Sequence, residues 1–226
     1  MLDAEKRREL REVSEGKELS QSNYIVALLG VVLYGLILNV ITCSIVPYEW
    51  VFANYVPIII GYLVCVIAGS IITNKSSNPI VSFIGYNLVA GPVGVLVAGC
   101  AGAYAAIDPS IVKDAFLMTA IITGVMMTIG YMKPQWFEKL GRLLSTILLS
   151  MVICEIILLI LGITQYISTW IGVLLFTAYI GYDTMKAMRY PHTLDNAVDC
   201  ALDLYLDIIN LFIKIMRLMA RSKSRD

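Results

Sequence analysis

The residues of this chain that could do chemistry are carboxylates set inside apolar stretches. Asp183 interrupts the run FTAYIGYDTMKAMRYP, and Asp199, Asp203 and Asp207 recur every fourth residue in AVDCALDLYLDIINLFIKIMRLMA, Ala197 to Ala220. Asn210, Lys214 and Arg217 complete the polar set of that last run, and Glu155 stands midway along another. An ionisable group in mid-membrane costs on the order of 3 kcal/mol on insertion scales, and such groups mark ion paths and proton relays. At about 100° per residue, the six polar residues of the last run fall within an arc of roughly 80°. A seam of that kind cannot face lipid, so this helix is expected at the centre of a bundle.

Two of the acids can be brought together. The residue before a proline resists helical geometry, so the helix bearing Asp183 is expected to end near Tyr190, ahead of Pro191. Asp207 follows the start of its own run by about nine residues, and at a rise of about 1.5 Å per residue both carboxylates lie roughly 10 to 14 Å from the shared connection. Adjacent antiparallel helices would then hold them at matching depth. Two carboxylates in a low-dielectric site do not both ionise readily and tend to share one proton. Loss of that proton would push the helices apart or leave Asp183 and Asp207 as a divalent cation site, calcium being the ion that carboxylate and carbonyl oxygens suit. Asp203 adds a carboxylate towards the entrance, Asn210 lies on the same seam, and Glu155 is a further intramembrane acid. The structural alternative is that these acids pair with Lys214, Arg217 or backbone groups and hold the bundle, Glu155 by a hydrogen bond across helices.

The elements that must position these groups are membrane helices. Of 226 residues 58% are hydrophobic and only 15% charged, more apolar side chains than a soluble domain can bury. Seventeen basic residues balance seventeen acidic ones, so no net field points to nucleic acid. The five cysteines lie in apolar runs without a CxxC pair, and the single histidine, His192, sits beside Pro191; no transition-metal site and no resident cofactor is expected. Apolar runs at Tyr24 to Val46, Phe52 to Ile72, Ile80 to Ala106, Ile111 to Tyr131, Leu143 to Ile163, Ser168 to Tyr190 and Ala197 to Ala220 give a plain count of seven spans. The expected fold class is all-α: a polytopic seven-helix transmembrane bundle over residues 24–220, with a polar tail at 1–23 and a basic tail at 221–226. The first tail reads as a short surface helix or a disordered segment and lacks the pattern of a cleaved signal peptide.

Lys and Arg cluster in the segments that a cytoplasmic N-terminus would keep inside, which orients six spans. Lys214, Arg217, Arg221, Lys223 and Arg225 break the pattern if the last helix crosses, so it either crosses against the rule or enters and returns. Trp50, Trp136 and Trp170 fall at span ends as interfacial anchors. In the third span, Ala90, Gly94, Ala98, Gly102 and Ala106 form a small-residue ladder suited to close helix packing, with Pro92 removing one backbone donor.

The segments GVLLFTAYIGYDTMK (Gly172 to Lys186), ALDLYLDIINLFIKIMRL (Ala201 to Leu218) and GYMKPQWFEKLG (Gly130 to Gly141) closely resemble the transmembrane Bax inhibitor motif family, of Bax inhibitor-one, YccA and YetJ type. The resemblance implies a seven-helix bundle with a central last helix, a pH-sensing aspartate pair matched by Asp183 and Asp207, and passive calcium leak. It also implies a bilayer as environment, a bacterial inner membrane first, and the endoplasmic reticulum or Golgi for eukaryotic or viral members. An arginine of the second span engages the pair in some bacterial members; here that run has none, and Asp203 stands where small or hydroxyl residues are usual.

Three function classes follow. The first is a pH-sensitive calcium leak channel or cation-permeable protein gated by Asp183 and Asp207. The second is a proton-coupled transporter, since intramembrane acids also relay protons. The third is a two-aspartate intramembrane protease, which the sequence disfavours because Leu204-Tyr205-Leu206-Asp207 replaces the Gly-x-Gly-Asp of those enzymes; no enzyme activity is expected. A retinal protein fits poorly, because Lys214 lies towards the end of its helix.

Overall fold

A computed structural model describes Arg8, residues 18–162 and residues 166–223. Among the described residues the chain is helical throughout, with no strand: α1 (Gln21–Ile45), α2 (Tyr48–Ala53), α3 (Tyr55–Lys75), α4 (Pro79–Ile107), α5 (Pro109–Met132), a 3-10 turn (Pro134–Trp136), α6 (Gly141–Ile160), α7 (Tyr166–Arg189) and α8 (Leu194–Lys223). Five of these, α1, α3, α4, α5 and α6, are long and apolar enough to cross a membrane by length and composition. The short α2, around Trp50, was not legible as a separate element. It sits between Pro47 and Asn54, where the first two spans are joined. Ile163, at the expected end of the fifth span, the rest of the 1–23 tail before Glu18 apart from Arg8, and Ser224 to Asp226 lie outside the described residues.

Helix ends follow local chemistry. The Ser20 hydroxyl accepts from the Asn23 N–H at 3.3 Å to start α1, and Asp108 accepts from the Ser110 N–H at 2.8 Å to start α5 with Pro109 in its first turn. At the start of α8 the Thr193 hydroxyl accepts from the Asn196 N–H at 3.1 Å. This cap begins α8 one turn ahead of its apolar run, because a helix starts where its orphan N–H groups find acceptors rather than where hydropathy rises.

The surface is inverted relative to a soluble protein. Val26, Val40, Ile45, Val64, Phe116, Leu149 and Leu174 are exposed, while Asn39, Thr73, Ser82, Asn196, Asp199 and Lys214 are buried. Apolar side chains on the outside and polar ones kept within a mostly apolar core are what a bilayer demands, since polar groups that meet hydrocarbon must find partners inside the protein.

The chain divides into two compact units, residues 1–102 with 186–205, and residues 103–185 with 206–226. In the first, Tyr24, Leu28 and Val32 of α1 join Tyr86, Val89 and Val93 of α4 and Ala201, Leu204 and Tyr205 of α8 in the core. The Tyr205 hydroxyl donates to Asn39 Oδ1 at 2.9 Å, and the Tyr86 hydroxyl donates to the Val31 carbonyl at 3.0 Å. Helices α3 and α4 cross at glycines: a Cβ on Gly69 would stand 2.6 Å from the Gly85 carbonyl oxygen. The small-residue ladder of α4 faces neighbours as well. A Cβ on Gly94 would meet the Asn39 and Thr42 side chains at 3.1 and 3.0 Å, one on Gly102 would meet Tyr48 at 2.5 Å, and Ala98 is buried.

In the second unit, α5 and α7 approach at Gly130 and Gly181, where a Cβ on Gly130 would lie 2.4 Å from the Gly181 carbonyl oxygen. Ile111, Leu144, Met151, Phe176, Ile180, Leu211 and Ile215 make its core. Lys223 at the end of α8 donates to Asp108 and Ser110 at the start of α5. That contact holds the partly exposed Asp108 carboxyl at about 2, first through the Lys223 hydrogen bond and then through the Ser110 N–H.

Candidate functional site

The acids of α8 recur at one-turn intervals, and the structure extends the series by one: Asp195 precedes Asp199, Asp203 and Asp207. In the first unit these carboxylates are met by specific partners. Asp195 accepts from the Ser82 hydroxyl at 2.6 Å. Asp203 accepts from Arg8 Nη1 at 2.5 Å, and Asp199, fully buried, has Arg8 Nε 3.7 Å from its Oδ2. The second guanidinium nitrogen of Arg8 donates to Asn74 Oδ1 at 3.1 Å. Burial works against the charge on Arg8, but Asp203 and Asp199 outweigh it, so the guanidinium is held protonated well above its ordinary range.

Within the segment read as a short surface helix or a disordered tail, Arg8 itself is helical and only 5% exposed. The physical reason is charge. Two buried or half-buried carboxylates need a counter-ion, and the second span, now α3, offers none before Lys75. The cation is Arg8 instead, so Asp203 is an ion-paired residue. Asn196 adds a backbone clamp, its side-chain amide donating to the Pro191 carbonyl at 2.9 Å and the Arg8 carbonyl at 3.4 Å.

The second unit holds the remaining predicted residues. Asp207 is 7% exposed on α8, and Asp183 is half-buried on α7 beside Thr184, whose hydroxyl donates to the Ile180 carbonyl at 2.7 Å. Both aspartates make interactions within the protein. The Asn210 amide is engaged inside its own helix, donating to the Leu206 carbonyl at 2.8 Å. Glu155 accepts from Lys214 and, at 2.8 Å, from the Ser168 hydroxyl, so this acid carries its own counter-ion. A Cβ on Gly172 would meet the Lys214 stem at 3.0 Å; the absent side chain leaves the lysine room to lie along α7.

The early start of α8 changes the depth argument. Counted from the helix ends, Asp183 lies about 9 Å back along α7 and Asp207 about 20 Å along α8, at about 1.5 Å per residue. Matching depth then requires α8 to begin about 10 Å beyond the end of α7, a step that residues 190–193 can span at roughly 3.3 Å per extended residue. Among the described residues no group of three or more histidine, cysteine or carboxylate side chains gathers as a metal cage.

Sequence reasoning missed Arg8, Asn74, Ser82, Asp195, Asn196 and the pairing of Tyr205 with Asn39. Asp195 carried a signal, since it stands one turn ahead of Asp199 on the same seam. Arg8 carried none, because it is one of several basic residues in a run that alternates with glutamates.

Comparison with known proteins agrees with the segments singled out above. The family model described as "Inhibitor of apoptosis-promoting Bax1" matches residues 21–225. A Helicobacter pylori protein is 27% identical over 185 residues, covering 81% of this chain and 76% of that one. The Escherichia coli "Inner membrane protein YbhL" is 26% identical over 189 residues, covering 77% of this chain and 79% of its own length. The Saccharomyces cerevisiae "Bax inhibitor 1" is 51% identical over 55 residues, which span 24% of this chain and 18% of the yeast protein.

Proposed function

Because this chain belongs to the Bax inhibitor family of integral membrane proteins, we propose that it is a pH-sensitive cation leak pathway of the bacterial inner membrane, with calcium as the permeating ion and Asp183 and Asp207 as its gate. The observation that carries this reading is a buried carboxylate, Asp207, on a helix whose same face presents Asp195, Asp199 and Asp203 in the preceding three turns. Apolar helices tolerate such a row where it serves an ion or proton path. With a proton shared between Asp183 and Asp207 the two helices are latched; its loss leaves like charges that repel, or two oxygen donors for a divalent cation. Members of the family at the inner membrane, such as the Escherichia coli relative by its name, support the location. The reading assigns no catalytic residue.

The test is calcium-dye flux in proteoliposomes at acidic and neutral pH. The wild type should leak in a pH-dependent way, and Asp207→Asn and Asp183→Asn should each remove that dependence. Flux that neither pH nor Asp207→Asn alters would sink the channel reading.

A second reading, a proton-coupled transporter, draws on the Glu155–Lys214 ion pair, a second set of charges set between apolar helices, on α6 and α8. Proton uptake that tracks an organic solute and persists without calcium would favour it.

A further inference from the structure

We propose that Arg8 is a tethered cation that closes the acidic end of α8, an autoinhibitory contact in which its guanidinium occupies the position a passing cation would otherwise take between Asp199 and Asp203. The inference rests on the channel reading above for its consequence, and on the geometry of the first unit for the contact itself.

Three observations converge. The guanidinium makes a pair with Asp203 at 2.5 Å, lies 3.7 Å from Asp199 and donates to Asn74 Oδ1 at 3.1 Å, so it spans α8 and the end of α3. The backbone of Arg8 is held as well, its carbonyl accepting from the Asn196 amide of α8 at 3.4 Å, while further along the chain the Leu19 N–H donates to the His192 carbonyl at 2.8 Å and Tyr24 stacks on the His192 ring at 4.6 Å. Lastly, the two flanking acids differ in exposure, Asp199 being sealed while the Asp203 side chain keeps 32% of its surface. Arg8 therefore stands at the boundary between the sealed and the open carboxylate. A planar guanidinium suits this bridging place because it donates in several directions at once, which an ammonium does with less geometric definition. It competes with any mobile cation drawn to the same acids, and being covalently tethered it has the advantage of a high local concentration.

Cys200 supplies a native reporter. It is 3% exposed and lies within electrostatic reach of Arg8. In a full-length protein with Cys43, Cys65, Cys100 and Cys154 each replaced by serine, the reaction of Cys200 with a water-soluble methanethiosulfonate reports opening of this end. Arg8→Gln and, from the other side of the contact, Asp203→Asn should each speed modification at least tenfold over the parent, with Arg8→Lys in between, and Arg8→Gln should raise calcium leak in the same liposomes several-fold. Equal modification rates in the parent, Arg8→Gln and Asp203→Asn would overturn the proposal, as would faster modification with unchanged leak in liposomes where Asp207→Asn still alters flux. If no variant, Asp207→Asn included, changes flux, the channel reading fails, and the thiol rates still decide whether Arg8 closes this end.

Discussion

Replacing Glu155 with glutamine removes the carboxylate from the Lys214 pair while keeping the shape and a carbonyl for the Ser168 hydroxyl. The Lys214 side chain is 7% exposed, so its ammonium cannot recover water; the Glu155 side chain is 24% exposed, so part of the pair's field is already screened. Breaking a buried pair by deleting one partner costs about 3–5 kcal/mol, and the partial exposure of Glu155 argues for the low end, about 3 kcal/mol. At about 1.4 kcal/mol per tenfold, that is roughly a 150-fold fall in the folding equilibrium constant. Lys214→Met should cost less, because the stranded glutamate is the more exposed partner and can hydrate. The double variant Glu155→Gln with Lys214→Met should return to within about 1 kcal/mol of the wild type, since an apolar replacement of both charges is often neutral. Equilibrium unfolding in mixed micelles, followed by helicity and analysed as a double-mutant cycle, measures all three. A cost for Glu155→Gln below about 1 kcal/mol, or a double variant as unstable as the sum of the singles, would refute the argument that Lys214 depends on this carboxylate.

Other expectations are checked by the same unfolding assay. Gly130→Ala places a methyl group 2.4 Å from the Gly181 carbonyl oxygen and should cost about 1–3 kcal/mol, whereas Gly124→Ala, with nothing within 4 Å, should stabilise by up to about 1 kcal/mol through helix propensity; equal effects would contradict the α5–α7 crossing. Tyr205→Phe deletes the donor to Asn39 and should cost about 1 kcal/mol, with no further loss when Asn39→Ala is added. The Asp108 carboxyl, held at about 2, contributes stability above its unfolded value, and that contribution is lost as pH falls through about 2; carbon NMR should find it there, and Lys223→Gln should move it up towards 3.8. A titration unmoved by Lys223→Gln would show that the contact does not form in solution.

The helices were legible because hydrocarbon-length apolar runs with prolines and charges between them leave few ways to be read. α1, α4 and α5 begin and end within about three residues of their runs, the usual uncertainty of helix boundaries. The short α2 hid inside the connection after Pro47, since six residues carry too little periodicity to stand out. The acid face of α8 was legible for the same reason as the spans, a fixed four-residue interval. What was not legible is which cation meets which acid. Glu155 with Lys214, and Arg8 with Asp199 and Asp203, join residues far apart in the chain, and no local pattern encodes such a pairing. The expectation that Asp183 and Asp207 pair rested on matching depth and on the family resemblance, and the cap at Thr193 shows why spacing alone was the weaker guide of the two.

The charge pattern of α8 bears on how the chain is made. Insertion scales assign each aspartate, lysine or arginine near the middle of a helix about +2.5 to +3.5 kcal/mol, against about −0.3 to −0.6 for each leucine, isoleucine or phenylalanine. Asp203 and Asp207, near the middle of α8, alone offset about ten of those apolar side chains, so α8 enters the translocon with little tendency to leave it sideways into lipid. The five strongly apolar helices, all earlier in the sequence, face no such barrier. The helix that follows them in the chain is thus the one that most needs polar partners already assembled to receive it. Biogenesis of this protein should stall at α8 whenever its earlier helices are defective, leaving a species that quality-control proteases recognise by an unburied row of aspartates.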